Sequence, residues 1–454
     1  MATPQAITGG DREAIAAAID TDELTELALT LGNIPSRSGQ EREAGQFVHD
    51  WMAREGFSPR KVGATEDRFN VIGTYGGLGQ NTKGFGKNLL FTAHLDTESP
   101  TRDPDLDVHK YSPTTLADPE WERCWLEDGV LRGYPIASDR GPMSCFLIAA
   151  KALKTAGYGL AGKMYLTACP GEIGPEPIEE HRGIGFLGKD IGAHYLFHHG
   201  GVAPDYAIAA EGCDFGWTSV GCGYAVFRLR LWGEGTFTPL LRHPDRAGDH
   251  PNPIYRVGKL TDALHAWTRD WEAASRYESA GGIAEPKVQL CAIRGGVPFQ
   301  FGDGTEVVSL YLEVGLNPRQ KAADVQHALE AMVRAAGVGR VEVEPVVVRH
   351  GFEADNAEVA PLIDAVDAAT RLGLGQPAAR ANPVYSSMWR DHNVFNMHRV
   401  PAITTGPKRW RPTPKDLADS ALIYALTALE ICGRAEQGEA AKGAAVYPDN
   451  PFGA

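Results

Sequence analysis

The hydrophobic pattern of the chain changes in kind at Tyr224. Before it, short apolar runs over 70–75, 88–93 and 163–169 alternate with segments whose apolar residues recur at helical spacing. Apolar runs of this length are typical of strands buried on both faces, and their alternation with helices predicts a mostly parallel sheet. From Tyr224 to Trp232, apolar and charged residues alternate instead, which predicts a strand with one buried face. The chain therefore contains two folding units of different style.

The segment that begins at Tyr224 has the order of a ferredoxin-like module. Its pattern predicts strands over 224–232, 287–293, 306–314 and 341–348, with helices over 253–273 and 321–336. That order is the split βαβ arrangement. A helix over 360–372, a strand ending at 404–405 and a helix over 415–432 then resume the earlier style. We therefore predict an α/β domain of residues 1–220 and 349–454, with a mostly parallel sheet flanked by helices and an inserted α+β module of residues 221–348.

Other segments have simpler patterns. Apolar residues at helical spacing predict a helical hairpin over 21–56 and a helix over 143–154. The Pro- and Asp-rich stretch 100–118 predicts a surface excursion, and the Ala/Gly-rich stretch from Gly433 predicts a mobile tail.

The composition argues against several classes of partner. Nucleic acid and anionic membranes are bound through clustered lysine and arginine, and the net charge here is -14. A small molecule is the predicted ligand. The sequence lacks a signal-peptide pattern and any run near the roughly 18 apolar residues of a membrane-spanning helix. The seven cysteines lack CxxC spacing, so we expect reduced thiols and a cytoplasmic location.

The strongest local signal is the sequence Leu89-Leu90-Phe91-Thr92-Ala93-His94-Leu95-Asp96-Thr97. An apolar strand here ends in a histidine and an aspartate two residues apart, and strand alternation puts both side chains on one face. They lie at the carboxyl end, where open parallel sheets bind ligands. His94 can there meet a metal while Asp96 orients its imidazole. An isolated His-x-Asp is more often an ordinary hydrogen-bonded histidine, so the neighbouring motifs decide.

Three carboxylates stand at comparable positions. Asp139 lies in a turn that opens a predicted helix, Glu172 follows the strand 163–169, and Glu211 follows the strand 205–210. Each one alone is typical of a helix cap or a solvated loop. The carboxyl ends of parallel strands meet at one rim, however, and hard divalent cations prefer such oxygen and nitrogen ligands. The joint pattern predicts a metal site.

With these motifs the chain, from about Asp22 to Cys432, resembles the M20 metallopeptidase family, which includes acetylornithine deacetylase and succinyl-diaminopimelate desuccinylase. The resemblance implies a catalytic domain with two metals, an inserted lid that often dimerises, and hydrolysis of an amide or related C–N bond. His94 then matches a ligand of the first metal, Asp96 the residue that orients it, Asp139 the bridging carboxylate and Glu211 the remaining first-site ligand. A ligand set of this kind tolerates zinc, manganese and cobalt.

The inserted module carries a further part of the resemblance. The segment from Gly233-Glu234-Gly235 to His243, followed by Asn252-Pro253-Ile254, is similar to the family's lid segment. The resemblance implies that the lid histidine reaches an active site and polarises the substrate carbonyl. The alternative for His243 is an ordinary surface-loop histidine.

The sequence departs from the family pattern after the strand 163–169. The family shows two consecutive glutamates there, a general base and a second-site ligand, whereas this chain has Gly171-Glu172. Glycine cannot accept a proton, so either Glu172 is the base or the base comes from elsewhere. Glu179-Glu180 offers another register. We prefer Glu172, because it lies immediately beyond the strand and Ile173-Gly174 continues the pattern.

The second departure is a missing histidine near the C-terminus. The family places a ligand histidine shortly after a Gly-Pro turn, and here Gly406-Pro407 leads instead to Arg409, Trp410 and Arg411. Arginine does not ligate cations. Substitute ligands could come from Asp391, His392 or His398. We therefore expect one or two divalent ions, in a mononuclear or weakly binuclear site.

The same segment suggests how a substrate could be held. Arg409 and Arg411, with Arg390, could bind a substrate carboxylate in a fork, although two arginines at a turn are more often only solvated surface. Trp389 and Trp410 could stack on a ring. The leading prediction is hydrolysis of an N-acyl amino acid, dipeptide or similar amide by metal-activated water, in a homodimer or higher oligomer. Two alternatives stay open: an aminohydrolase that releases ammonia from an aromatic acid, as nitroanthranilate aminohydrolase does, and a catalytically silent metal-binding relative.

Overall fold

The computed structural model of the protein describes residues 6–77, 86–97, 118–121, 123–174, 176–179, 183–297 and 302–435. Most of the predicted excursion 100–118, most of the predicted C-terminal tail, and Glu180 lie outside the described residues. The chain divides into two compact units. The first comprises Met1–Ser219, Ala354–Ala381 and Val394–Ala454, and the second comprises Val220–Glu353 and Asn382–Asn393.

The elements follow one another along the chain in two series. The helices are α1 (Gly9–Ala18), α2 (Thr21–Asn33), α3 (Arg42–Arg54), α4 (Gly141–Thr155), α5 (Ala193–His199), α6 (Val257–Ser275), α7 (Ala322–Ala336), α8 (Asn356–Leu374), α9 (Pro383–Ser386), α10 (His392–Met397) and α11 (Pro414–Cys432). The strands are β1 (Arg60–Gly63), β2 (Phe69–Gly76), β3 (Leu89–His94), β4 (Trp125–Glu127), β5 (Val130–Arg132), β6 (Lys163–Cys169), β7 (Tyr206–Ala210), β8 (Trp217–Thr218), β9 (Val220–Gly221), β10 (Gly223–Trp232), β11 (Tyr277–Ser279), β12 (Gly282–Ala284), β13 (Val288–Gly295), β14 (Val307–Leu316), β15 (Val341–Arg349), β16 (Phe352–Glu353) and β17 (Ala402–Thr405).

Side chains of the local sequence fix several helix ends. Asp20 caps α2 by accepting hydrogen bonds from the N–H groups of Asp22 and Glu23, each at 3.0 Å. α11 begins with a reciprocal capping box between Thr413 and Asp416. The predicted hairpin is confirmed as α2 and α3. It is preceded by α1, which the periodicity did not reveal because this short helix buries Ile15 alone among its apolar side chains.

The first unit is built on a sheet whose described strands have the order β1-β2-β6-β3-β7-β17-β8. The four strands β6, β3, β7 and β17 are parallel, whereas β1, β2 and β8 pair antiparallel with their neighbours. The sheet is therefore mixed rather than mostly parallel, since short connections such as the one between β1 and β2 impose antiparallel pairing. Its central strands are apolar because helices cover them: Phe91 of β3 packs against Phe146 of α4 and Tyr424 of α11.

The second unit confirms the predicted ferredoxin-like order. Its sheet has the strand order β13-β14-β10-β15, and β10 pairs antiparallel with both of its neighbours. The alternation that begins at Tyr224 separates the faces of β10. Phe227 and Leu229 are buried in the core that contains residues of α6 and α7, while Arg228 bonds Glu344 of β15 at 2.8 Å on the other face.

The segment Asn382–Asn393 belongs to the second unit, although the sequence analysis assigned it to the α/β domain. Its backbone and side chains are bonded there. The Cys222 N–H donates to the Ser386 carbonyl at 3.1 Å, and the Asn393 amide donates to the Cys222 carbonyl at 3.0 Å. These bonds join residues about 170 positions apart, so local pattern could not reveal them. Among the described helices, none is long and apolar enough to cross a membrane.

Candidate active site

The candidate site lies where the parallel strands of the first unit end. His94 is the last residue of β3 and lies opposite Cys169 of β6, so that Glu172 follows at the same edge. β3 also pairs in parallel with β7, with Thr92 opposite Ala209. Continuing that register places Glu211 beside His94. The predicted convergence of strand ends therefore brings a histidine and two glutamates to one rim of the sheet.

His94 contacts two carboxylates at this rim. Its Nε2 atom lies 3.1 Å from Oδ2 of Asp139 and 3.8 Å from Oε2 of Glu172. All three residues are buried. Burial opposes a charged imidazole, but the charge and hydrogen bond of Asp139, with the charges of Glu172 and Asp96, outweigh it and raise the pKa of His94 well above its ordinary value. The sequence-predicted His94, Asp139 and Glu172 thus form one electrostatic unit.

Asp96 orients His94 through its main chain rather than its side chain. The Asp96 carbonyl oxygen lies 2.7 Å from Nδ1 of His94, whereas the carboxylate is 3.6 Å away. That carboxylate instead accepts hydrogen bonds from the N–H groups of Glu172 and Ile173, both at 2.9 Å, and from the Ser38 hydroxyl at 2.6 Å. Asp96 therefore fixes the backbone on which Glu172 stands.

Two buried cations that the sequence analysis did not select support this arrangement. Arg140 donates to the carbonyl oxygens of His94, at 2.9 Å, and Leu95. Burial lowers the pKa of Arg140 to about 10, against the opposing charges of Asp96 and Asp139. Lys189 donates to the Glu172 carbonyl. Arg140 directly follows the predicted ligand Asp139, which is the one signal that could have found it; no comparable signal marks Lys189.

Gly171 has no space for a side chain. Its φ is +76°, and a Cβ atom there would lie 2.6 Å from the carbonyl oxygen of Gly188 and 3.2 Å from Nη2 of Arg68. Arg68 is itself held by a double hydrogen bond to buried Glu41, at 2.6 and 3.0 Å, and bonds the Leu187 carbonyl. A base at position 171 is therefore excluded by packing as well as by residue type.

Arg409 lies beside Glu211, the fourth predicted ligand. Its Nη1 atom is 4.0 Å from Oε2 of Glu211, and only 11% of the arginine side chain is exposed. The Arg409 N–H also donates to Asp214 at 2.9 Å, which fixes the backbone of the turn after β17. A positively charged guanidinium thus lies next to Glu211, which the sequence predicts to be a metal ligand.

The donor set fits a divalent cation in part. Both carboxylate oxygens of Asp139 are buried, and beyond the contact of Oδ2 with His94 Nε2 they accept no hydrogen bond from the described residues. Two donor atoms that bind one zinc ion at about 2.0–2.2 Å lie roughly 3 to 4 Å from each other. The carboxylate oxygens of Asp139 and Glu172 lie at such distances from His94 Nε2. Within the described ranges, however, no three His, Cys, Asp or Glu side chains could hold a metal ion as they stand. His94 and Asp139 fit the ion, and a third donor has to rotate toward them.

Comparison with solved structures identifies the fold. The aminopeptidase PepT of Bacillus cereus has a TM-score of 0.60 at 15% identity, covering 92% of this chain and 100% of that one. The di-peptidase Dug1p of Saccharomyces cerevisiae has a TM-score of 0.63 at 11% identity, covering 94% and 100%. The YXEP protein of Bacillus subtilis, a dinuclear metal binding peptidase from the M20 family, has a TM-score of 0.57 at 12% identity, covering 91% and 98%. This chain has the M20 metallopeptidase fold.

The fold confirms the resemblance predicted from the motifs. No family model matches the sequence. A probable carboxypeptidase of Aspergillus clavatus is 32% identical over 89 residues, and the match spans 20% of each chain. The chain therefore matches only about a fifth of the length of this curated relative, and neither comparison by itself assigns a substrate.

The other residues predicted to bind substrate are Arg411, Trp389 and Trp410. Arg411 is 56% exposed and bonds Glu120 at 2.7 and 3.1 Å, as a surface arginine would. Trp389 belongs to the second unit, where it is buried and packs edge-on against Tyr224. Trp410 is half exposed.

The proposed substitute ligands are divided between the two units. His392 and Asp391 are buried in the second unit, and burial, with the charge of Arg390, lowers the pKa of His392 to about 3. His398 lies in the first unit, where its ring stacks on Phe197 of α5 with centroids 4.3 Å apart.

Gly171→Ala should destabilise the first unit more than an alanine at a glycine with similar backbone geometry. The left-handed conformation costs an alanine about 1–2 kcal/mol, and displacing the Gly188 carbonyl adds about 1–3 kcal/mol. Gly375→Ala is the matched control, because Gly375 has φ +74° and open space around its Cβ position. Urea unfolding of both full-length variants should give the lower midpoint for Gly171→Ala. Equal midpoints would show that the Gly188 carbonyl does not disfavour a side chain at position 171.

Proposed function

We propose that the chain is a metal-dependent hydrolase of a C–N bond, acting on the amide of an N-acyl amino acid, a dipeptide or a related small carboxylate. The observation that carries the proposal is the buried His94–Asp139 pair at the strand-end rim of an M20-type fold. Beyond its contact with His94, the Asp139 carboxylate accepts no hydrogen bond from the described residues. Neighbours in that fold are named as a di-peptidase, an aminopeptidase and an amidase, which supports this reaction class.

His94, Asp139 and Glu211 are the residues that would hold the cation. Zinc, manganese and cobalt all suit a set of one imidazole and several carboxylates. When bound, such an ion supplies Lewis-acid polarisation of the scissile carbonyl. The protein's own contribution is a rigid frame: Asp139 is fully buried, and His94 is held from behind by the Asp96 carbonyl.

Glu172 is the proposed general base. Its carboxylate reaches the His94 side of the rim, and its backbone is fixed by bonds from Glu172 N–H to Asp96 and from Lys189 to the Glu172 carbonyl. In this role it takes a proton from the attacking water as the new C–O bond forms and returns it to the amine as the C–N bond breaks. Asp96 acts as its positioning residue. His243 of the second unit is proposed to donate a hydrogen bond to the substrate carbonyl.

Arg409 limits the rim to one cation and offers a site for the substrate carboxylate. The rim and its support contain the buried carboxylates of Glu41, Asp96, Asp139, Glu172 and Glu211. Against them stand the cations of Arg68, Arg140, Lys189 and Arg409, with His94 as a fifth positive group when protonated. These charges nearly cancel, so a second divalent ion would leave a large excess of buried positive charge, which is costly.

One specific observation favours a second candidate, the catalytically silent relative. Gly171 stands where the family pattern has its general base. A side chain could not be restored at this position without moving Gly188. If Glu172 is committed to a cation, no base remains in the predicted register. The aminohydrolase alternative has no comparable support, because Trp389 is packed against Tyr224 rather than presented as an open platform.

Metal content tests the proposal most directly. Protein purified without chelators should carry about one equivalent of divalent metal per chain, and His94→Ala should lose it. His49→Ala, at a partly exposed histidine paired with Asp50, is the control and should retain the metal. The same samples are assayed on dipeptides, N-acyl amino acids and amino-substituted aromatic acids. If the protein binds metal but hydrolyses none of these substrates, the catalytically silent alternative is supported. If it takes up no added metal, the proposal is refuted.

Arg409→Met should strengthen metal binding. A unit charge 4 Å from a carboxylate is worth about 1 to 4 kcal/mol at effective dielectric constants of 80 to 20, so its removal should tighten the dissociation constant at least about fivefold. The neighbouring exposed lysine provides the control, Lys408→Met. Calorimetric titration with Mn²⁺ gives both constants. If Arg409 also binds the substrate carboxylate, KM rises in the same variant; unchanged metal affinity would contradict its proposed role at Glu211.

We further propose a homodimer formed through the second unit. β13 is an edge strand in the described sheet, and Ile293 on it is 51% exposed. Unpaired strand edges favour pairing with a second chain. Light scattering should give about twice the chain mass of 48.9 kDa. Ile293→Lys should shift the protein toward monomer, whereas Leu240→Lys at another exposed position should not. A monomeric wild type would refute the dimer.

A reducing compartment such as the cytoplasm is the proposed location. All seven cysteines are free, and every one except Cys291 is buried. Disulfides persist in oxidising compartments and are rare in the cytosol, so a chain without them suits a reducing environment.

A further inference from the structure

Two histidines of the second unit form a direct hydrogen bond. They belong to the loop between β10 and α6, where Nδ1 of His243 lies 3.1 Å from Nε2 of His250. His250 is only 4% exposed, and its ring stacks on Tyr255 with centroids 3.9 Å apart. His243 is exposed. The pair therefore consists of a buried histidine that supports an exposed one.

The backbone determines which nitrogen of each ring carries the proton. The Asn252 N–H donates to Nδ1 of His250 at 3.0 Å, and an amide N–H can only donate. Nδ1 of His250 is therefore unprotonated, and a neutral His250 carries its proton on Nε2. That N–H donates to Nδ1 of His243, which leaves the proton of neutral His243 on its own Nε2.

We infer that His250 is a positioning residue that holds His243 as an Nε2–H donor, ready to bond a substrate oxygen. The chain of three donors, from Asn252 through His250 to His243, runs in one direction and ends on the exposed ring. An oxygen acceptor, such as the carbonyl or carboxylate of an acylated amino acid, is the ligand class that such a donor takes. The inference rests on the proposed function, in which His243 contacts the substrate.

Packing alone does not explain the histidine at position 250. Stacking on Tyr255 requires an aromatic ring but no nitrogen atoms. Phenylalanine would retain the stack and lose both hydrogen bonds, whereas glutamine would lose the stack and retain an amide able to accept from Asn252 and donate to His243. His250→Phe and His250→Gln therefore separate the positioning role from packing. His265→Phe, at an exposed position of α6, is the control for histidine replacement in the same unit.

The first readout is nitrogen NMR of the full-length protein labelled at histidine. In the wild type and in His265→Phe, the His243 ring should show a single Nε2–H tautomer with Nδ1 as a hydrogen-bond acceptor. In His250→Phe the signals should move toward those of an unrestrained, averaging imidazole, and in His250→Gln they should return toward the wild-type values. His243 signals that are the same in His250→Phe and in the wild type would overturn the inference.

The second readout is a double-mutant cycle on hydrolysis. His250→Phe should lower kcat by about 10- to 100-fold with little change in KM and no change in metal content, and His250→Gln should recover part of the loss. Combined with His243→Phe, His250→Phe should add nothing further, because it acts through His243. If the kcat losses of the two single variants multiply in the double variant, the inference is overturned. An inactive wild type would refute the proposed function instead, while the NMR readout would still decide the tautomer.

Discussion

The carboxylate of Asp96 holds together the rim of the sheet where the candidate site lies. It accepts hydrogen bonds from Ser38, Glu172 and Ile173, so that one buried charge joins three segments of the first unit. Hydrogen bonds to charged groups contribute about 1.5–3 kcal/mol each, and no water competes at a residue with 0% exposure. The position of Glu172, and hence any proton transfer by it, depends on this carboxylate. The Asp96 main chain serves His94 as well, which couples the orientation of the imidazole to the same residue.

Buried cations of the protein compensate part of the negative charge at this rim. Carboxylates alone at the end of a sheet would repel one another and would need cations from solution. Here Arg140 donates to the main-chain carbonyl of His94, and Arg409 lies beside Glu211. The protein therefore carries part of the compensating charge itself. This balance supports the proposal of a single divalent ion, because a guanidinium already stands near Glu211, one of the proposed ligands.

Much of the fold could be predicted from the sequence, because the spacing of apolar residues along the chain indicates which face of each element is buried. Continuous apolar runs identified β3 and β6, and the alternation from Tyr224 identified the second unit and the order of its elements. The direction of individual strands was less accessible. Apolar runs predict burial equally well for parallel and antiparallel strands, so β2 and β8 appear in a mixed sheet where a mostly parallel one was predicted. The segment Asn382–Asn393 changed unit for a related reason, since its hydrogen bonds reach residues far away in the sequence.

The sequence by itself determined which chemistry-bearing residues stand at strand ends: His94, Glu172 and Glu211 follow apolar strands, and parallel strands end at one rim. Only the tertiary structure decided what each side chain meets. Asp96 bonds backbone 76 and 77 residues away, and Arg409 is fixed to Asp214 across 195 residues. The physical reason is the range of the two effects. Burial follows the repeat of the local backbone, whereas hydrogen-bond partners and charge compensation depend on which distant segments packing brings within about 3–4 Å.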